Sequence, residues 1–158
     1  MKLPYSEGSV FCLPLRDGDF ARGVVARATK RGKVLFGYFF VPRLSSREAV
    51  ELDDLHPDSA IFRSMFGDLG LINGEWTVHG KVPEWNRAEW PMPDFVMRDP
   101  LGILKPKLVR YSDTDLFRIE AEYWIDEDRD LPADSTAGYG AVERRMTTLL
   151  KAVPRDQQ

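Results

Sequence analysis

The chain has 158 residues, of which 43% are hydrophobic and 30% charged, and its formal net charge is −3. This length suits one domain with its own core, and this composition excludes disordered and collagen-like chains. A lone cysteine excludes an internal disulfide and a cysteine-rich zinc site, and no apolar run approaches the ~20 residues of a membrane span. We therefore expect residues 1–158 to form a single cytoplasmic domain with no membrane partner and no cofactor.

Three strands joined by short turns are predicted at the start of the chain. Asp17 and Gly18 form a hairpin signal between apolar runs, and Gly32 can adopt a positive φ in the next turn. Gly23 and Gly37 lie inside the strands and indicate bends or bulges of a curled sheet. The predicted strands, which together form an antiparallel meander, are Gly8–Leu15, Phe20–Ala28 and Val34–Val41.

Short helices and a second hairpin are predicted before a proline-rich stretch. Ser45 and Glu48 have the spacing of a capping box. They predict a short helix that ends at Leu52. A second short helix is predicted over Ala60–Phe66, with Asp58 or Ser59 as its N-cap and Gly67 at its end. Leu69–Ile72 and Glu75–Val78 are predicted to form a hairpin around the Asn73-Gly74 turn.

Five prolines disfavour regular structure over residues 81–106. Trp85 and Trp90 in this stretch are either exposed interface anchors or, as we expect, rings that pack on the sheet.

The last third of the chain predicts two strands and a helix. Lys107–Tyr111 and Phe117–Ile125 have strand character, and alternate apolar residues of the second share one face. A helix over Gly138–Ala152 has one apolar stripe that can pack on a sheet. The predicted fold is α+β, with a mainly antiparallel curled sheet, short helices and a C-terminal helix. Either an SH3-like, partly open barrel or an ordinary α+β sheet fits this pattern.

The distribution of charge is more informative than its total. Residues 1–50 carry nine basic and four acidic side chains, whereas Asp113–Asp134, the acidic segment, carries nine acids and two arginines. The negative electrostatic field of this segment repels phosphates, so we expect that it binds no nucleic acid. The segment is either a solvated loop or a surface for a protein partner.

No arrangement of residues in the sequence indicates a catalytic or metal site. Cys12 is a conceivable nucleophile with His56 or His79 as its base, but no spacing places them together, and a lone cysteine is more often buried. The carboxylates of residues 126–130 resemble the start of a calcium loop, which then lacks its glycine and its final glutamate. A basic cluster on a hairpin is either a nucleic-acid patch or, as we expect, a solvated turn that protects a strand edge, and it comprises Arg22, Arg27, Lys30, Arg31 and Lys33.

Four segments are shared in pattern with a known family of bacterial proteins. They are EGSVFCLPLRDG (7–18), LINGEW (71–76), GKVP (80–83) and WPMPDF (90–95). A glycine-led strand, a Pro-Leu pair, an Asp-Gly turn and a second strand with an aromatic residue and a glycine resemble the opening of the immunity protein 26 family. The resemblance extends over roughly residues 7–125. Ser9 and Cys12 depart mildly from the family pattern, and the terminal helix lies outside it.

The resemblance implies a cytoplasmic immunity protein that binds and neutralises a cognate toxin encoded beside it, without catalysis. Toxins that attack nucleic acids tend to have basic clefts, which a carboxylate-rich surface can occupy. An SH3-like peptide-binding module and an unrecognised hydrolase remain as alternatives, and the oligomeric state stays open. The hypothetical toxin-binding residues are Asp113, Asp115, Asp126, Glu127, Asp128 and Asp130.

Overall fold

The computed structural model describes residues 2–154 and shows an α+β fold with two sheets. The strands are β1 (Ser9–Pro14), β2 (Phe20–Ala28), β3 (Val34–Leu44), β4 (Ala60–Gly67), β5 (Thr77–Lys81), β6 (Phe95–Met97), β7 (Lys107–Ser112), β8 (Asp115–Trp124) and β9 (Thr136–Ala137). The helices are α1 (Leu69–Ile72) and α2 (Tyr139–Ala152), with 3₁₀ turns at Arg47–Ala49, Pro57–Ser59 and Arg87–Glu89. The six-stranded sheet has the order β5-β1-β2-β3-β4-β9 and the three-stranded sheet the order β6-β7-β8. The larger sheet is open, with β5 and β9 at its edges, so it is not a closed barrel.

The predicted N-terminal meander is confirmed. β1, β2 and β3 pair antiparallel in sequence order. Gly18 and Gly32 have φ values of 95° and 78° in the two connecting turns, which is the region that glycine adopts without strain. Local turn chemistry therefore fixes this part of the fold.

Gly23 and Gly37 make room for aromatic rings. A Cβ atom on Gly23 would lie 2.3 Å from the ring of Phe11, and one on Gly37 would lie 2.8 Å from the ring of Phe66. The β2–β3 register shifts beside Gly37, as expected for a bulge, whereas Gly23 lies in regular register. Both glycines thus allow rings of neighbouring strands to cross the sheet surface closely.

The helix predicted over Ala60–Phe66 is wrong, because this segment is strand β4. It pairs with β3 along its length, and its side chains alternate between two cores: Phe66 packs on one face of the sheet and Met65 on the other. This period of two is the signature of a strand buried on both faces. The polar residues before it form a 3₁₀ turn in which the ring of His56 accepts from the Asp58 amide.

Two other predictions in the middle of the chain are corrected. Leu69–Ile72 is the one-turn helix α1 instead of a strand, because the Trp76 amide donates to the Gly70 carbonyl (2.8 Å) and the indole packs over Gly70. The expected helix through Leu52 is only the 3₁₀ turn at Arg47–Ala49, and no side chain caps it. In both places tertiary packing overrides the local signal.

The two faces of the six-stranded sheet carry separate cores. Helix α2 covers one face, where the predicted stripe of Val142, Met146 and Leu150 is buried. The opposite face is covered by the chain after β5, including Trp90, which is buried as expected, and Phe95. The three-stranded sheet is thereby fixed against the larger one.

The apolar residues of β8 do not share one buried face as predicted. Ile119 is opposite Tyr111, whereas Ala121 is opposite the adjacent Arg110, so a register shift places the two on different faces. β8 is also exposed along most of its length. Leu116 is buried, whereas the other large apolar side chains of β8 lie on the surface: Phe117, Ile119, Tyr123 and Trp124.

We predict that Gly23→Ala destabilises the fold by about 1–3 kcal/mol, because the added methyl group has to displace the buried ring of Phe11. Gly67→Ala is the matched control, since its nearest neighbour, the Lys33 carbonyl oxygen, is 3.7 Å from the new Cβ. Urea unfolding of the two variants and the wild type measures the effect. Equal free energies of unfolding for the two variants would contradict this account of Gly23.

Candidate functional site

Exposed apolar side chains are concentrated on one part of the surface. Eight of the ten large exposed hydrophobic residues in the described chain lie between residues 97 and 124. They are Met97, Leu101, Ile103, Leu104, Phe117, Ile119, Tyr123 and Trp124. A cluster of exposed apolar side chains of this kind is typical of an interaction surface. We call the β7–β8 hairpin, the β6–β7 loop (residues 98–106) and the acidic segment together the hairpin surface.

The β6–β7 loop is shaped by one carboxylate. Asp99 accepts from the backbone amides of Leu101, Ile103 and Leu104 at 2.9–3.1 Å. These amides hold the pKa of Asp99 below its ordinary value. Because the backbone turns around Asp99, the three apolar side chains point into solvent in a preformed arrangement.

The turn of the β7–β8 hairpin is anchored to the large sheet by a buried arginine. Arg27 on β2 is only 3% exposed, and its Nε donates to Asp113 Oδ1 at 2.8 Å. Its Nη1 donates to the carbonyls of Ala26 (2.7 Å) and Trp90 (2.9 Å). A buried guanidinium needs such a full set of acceptors, so the position of Asp113 is fixed by the core.

A second arginine completes this anchor. Arg87 donates to the side chain and the backbone carbonyl of Asp113, and its Nε donates to Glu7 Oε1 at 2.7 Å. Partial burial tends to raise the pKa of Asp113, but hydrogen bonds from Arg27 and Arg87 outweigh it and hold the pKa below its ordinary value. Ion pairs thus connect the hairpin turn to β2 and to the residues directly before β1.

The far end of the acidic segment is held by Arg98. Its Nε donates to both oxygens of Asp128 at 2.8–2.9 Å, and its Nη2 donates to the carbonyls of Arg129 and Leu131 at 3.0–3.1 Å. The next residues cover the β6 edge, because the Val96 amide donates to the Pro132 carbonyl (3.0 Å). Segment 132–134 therefore closes one edge of the three-stranded sheet.

The six predicted toxin-binding residues are all exposed but fall into two groups. Asp113 and Asp115 lie at the hairpin turn, whereas residues 126–130 follow the other end of β8. Because β8 has ten extended residues, the two groups are roughly 30 Å apart. Asp113 is held by Arg27 and Arg87, Asp126 by Lys105 and Asp128 by Arg98. Within residues 2–154, the three that make no ion pair are Asp115, Glu127 and Asp130.

The other candidate chemical residues are not brought together. Cys12 is fully buried, which raises the pKa of its thiol to about 11, and no hydrogen bond in the described chain joins it to a histidine. His56 lies beside Asp58, and His79 Nε2 is 2.7 Å from the hydroxyl of Thr77. Cys12 therefore has the environment of a small core residue rather than that of a nucleophile.

Neither the basic cluster nor the carboxylates of residues 51–54 are arranged as a binding site. Arg22 and Arg27 are buried, so the expected basic cluster reduces to the exposed turn residues Lys30, Arg31 and Lys33. Glu51, Asp53 and Asp54 are close enough to share a cation, but Arg22 Nη1 donates to Asp54 at 2.6 Å. That arginine lowers the pKa of Asp54 and already neutralises one of the carboxylates.

Sequence reasoning missed the arginines that position the hairpin surface. The sequence pattern assigns Arg27 to a solvated basic turn, but an arginine inside a strand that also contains Val24 and Val25 needs a buried partner. That signal points to an acidic residue elsewhere in the chain but does not identify Asp113. The contacts of Arg98 with residues 128–131 depend on the return of the chain to β6, which no local pattern encodes.

We predict that Asp113→Asn destabilises the protein by about 1–3 kcal/mol at pH 7, because it leaves the buried Arg27 without its carboxylate. Asp126→Asn is the matched control; its ion pair with Lys105 is exposed, so we expect a loss below about 1 kcal/mol. Urea unfolding measures both.

The pH dependence of this loss has a defined sign. Because the folded-state pKa of Asp113 is lowered, its stabilisation is present above the unfolded value of about 3.9 and is lost as the pH falls below it. The difference in free energy of unfolding between the wild type and Asp113→Asn should therefore decrease as the pH falls from 5 to about 3. A difference that stays constant over this range would contradict the assignment of the anchor.

Comparison with known proteins identifies the family of the chain. The family model of immunity protein 26 matches residues 6–105, which include β1–β6 and end inside the β6–β7 loop. β7, β8 and the acidic segment lie beyond the match. No curated protein and no solved structure matches the chain. In residues 2–154 no helix has the length and hydropathy of a membrane span. Because the match covers most of the chain, the protein belongs to the immunity protein 26 family.

Proposed function

We propose that this chain is a non-catalytic immunity protein that binds and neutralises the toxin encoded beside it, in the cytoplasm of the producing cell. Membership of the immunity protein 26 family supports a toxin-immunity role. The buried thiol of Cys12 supports the absence of catalysis. The partner is a protein, and no nucleic acid or membrane takes part.

The observation that carries this proposal is the coincidence of apolar and acidic groups on the hairpin surface. Phe117, Leu101 and Ile103 are each exposed by at least 66%, although they are large and apolar. Aromatic and aliphatic side chains of this kind supply most of the affinity of protein interfaces. The surrounding carboxylates supply the long-range field that guides an oppositely charged partner.

The sign of the charge indicates a basic partner. Asp115, Glu127 and Asp130 have no ion-pair partner in the described chain, so their charge is available to another molecule. Such a surface attracts the cationic cleft of a toxin that acts on nucleic acids, and it repels the nucleic acid itself. We include the paired residues Asp113, Asp126 and Asp128 in the proposed surface because their side chains remain 57%, 90% and 57% exposed.

The direct test is rescue of growth. We expect coexpression of this chain to abolish growth arrest by the C-terminal domain of the protein encoded immediately upstream. The purified chain should form a stable complex with that domain. Growth arrest that persists despite folded, expressed chain, together with no complex in vitro, would contradict the proposed function.

The charge account is tested by reversing the unpaired acids. We predict that the triple variant Asp115→Lys, Glu127→Lys and Asp130→Lys associates with the toxin domain at least about tenfold more slowly at low salt and shows a weaker salt dependence. Stopped-flow fluorescence measures both quantities.

A matched control carries the same change in net charge elsewhere. Glu48→Lys, Asp53→Lys and Asp58→Lys alter exposed residues between β3 and β4, away from the hairpin surface. We expect this control to retain most of the wild-type association rate. Equal slowing in the two triple variants would show that only total charge matters and would contradict the proposed surface.

A further inference from the structure

We propose that an extended, cationic segment of the toxin adds a strand to the three-stranded sheet along β8. This inference rests on the proposed function and specifies how the same surface holds its partner. Within residues 2–154, β8 pairs with β7 alone, whereas segment 132–134 covers the opposite edge of the sheet, at β6. An unpaired strand edge offers a row of amides and carbonyls to a second chain.

The register of the hairpin fixes which amides of β8 face the open edge. The Ile125 amide donates to the Pro106 carbonyl at 3.0 Å, so Ile125 occupies a hydrogen-bonded position of the ladder. Such positions alternate along antiparallel strands, and the register is continuous over residues 121–124, so Tyr123 also faces β7. The N–H and C=O groups of Glu122 and Trp124 therefore point towards the open edge.

β8 is the longest edge strand among residues 2–154. It has ten residues and contains neither proline nor glycine. Among the edges of the six-stranded sheet, β9 has only two residues, and β5 has a register shift against β1 and a left-handed glycine, Gly80. Short length and irregular register hinder strand addition. β8 has register shifts of its own near Ile119, but its stretch from Ala121 to Trp124 pairs with β7 in continuous register.

Charge disfavours a second copy of this chain in the registers that centre the pairing on the middle of β8. Antiparallel pairing of β8 with itself, centred on Glu120, Ala121 or Glu122, places Glu120 or Glu122 opposite a glutamate of the other copy. Like charges directly opposite each other destabilise a sheet. Within the chain, Glu120 contacts Arg118 (3.7 Å) and Glu122 contacts Lys107 (2.8 Å), but both carboxylates remain exposed. A strand with lysine or arginine opposite these glutamates avoids the repulsion and adds a further cation beside each, so we assign the edge to a cationic strand of the partner.

The apolar side chains on both ends of β8 support the same occupant. Phe117 and Trp124 are exposed by 66% and 59%, and Tyr123 is exposed on the opposite face of the strand from Trp124. A strand that adds to β8 would bury apolar side chains on both faces of β8. Backbone hydrogen bonds would then supply affinity, and the glutamates and aromatic rings would supply selectivity.

The test removes one outward amide and leaves the ladder to β7 intact. Glu122→Pro deletes the N–H that faces the open edge, a position where an edge strand tolerates proline. Glu122→Thr is the matched control, since it loses the same carboxylate and the same ion pair with Lys107 but keeps the amide. Binding of each variant to the upstream-encoded toxin domain is measured by calorimetry.

We expect Glu122→Pro to bind the toxin domain at least about tenfold more weakly than Glu122→Thr, which corresponds to about 1.4 kcal/mol. Equal affinities of the two variants, with wild-type binding intact, would overturn strand addition while the proposed function stands. No binding by the wild type would instead count against the proposed function itself.

Hydrogen exchange of the wild type tests the inference without any variant, in case Glu122→Pro folds poorly. In the free chain the amides of Glu122 and Trp124 should exchange fast and that of Tyr123 slowly. Saturation with the toxin domain should protect Glu122 and Trp124 by at least about tenfold. Unchanged exchange at both amides in the saturated complex would overturn the inference.

Discussion

The hairpin surface depends on the buried guanidinium of Arg27. This side chain enters the core from β2 and uses the Asp113 carboxylate and the carbonyls of Ala26 and Trp90 as acceptors. A charge in such an environment is stable only when its partners stay in place. The turn between β7 and β8 is therefore fixed to the six-stranded sheet, and β8 beyond it can remain exposed without losing its position. An ion pair at the core boundary thus sets the geometry of a surface strand.

The molecule divides into a scaffold and a presented surface. The scaffold is the six-stranded sheet with its two cores, and the family match covers its strands β1–β5 together with β6, whereas β9 and helix α2 lie beyond the match. The presented surface begins with the β6–β7 loop, where Asp99 organises the backbone, and it ends with the acidic segment held by Arg98. Because contacts within the chain fix both ends of this surface, little ordering is needed when a partner binds. Preorganisation of this kind favours tight complexes.

The sequence predicts those parts of the fold whose signals are local. The β1–β3 meander follows from its turn glycines, and helix α2 follows from its apolar stripe. Segment Ala60–Gly67 has polar caps and an apolar pattern compatible with a helix, and only its pairing with β3 makes it a strand. The acidic segment is visible as composition, but its division into two groups arises from the length of β8 between them. The register shift that separates the faces of Ile119 and Ala121 in β8 is likewise specified by no local rule.

The most direct test of the account is a crystal structure of the complex between this chain and the toxin domain encoded upstream. The account predicts a four-stranded sheet in which an extended toxin segment pairs with β8, with basic side chains near Glu120 and Glu122. The Arg27–Asp113 contact should be unchanged in the complex. A toxin domain bound elsewhere, with the β8 edge still open to solvent, would contradict it.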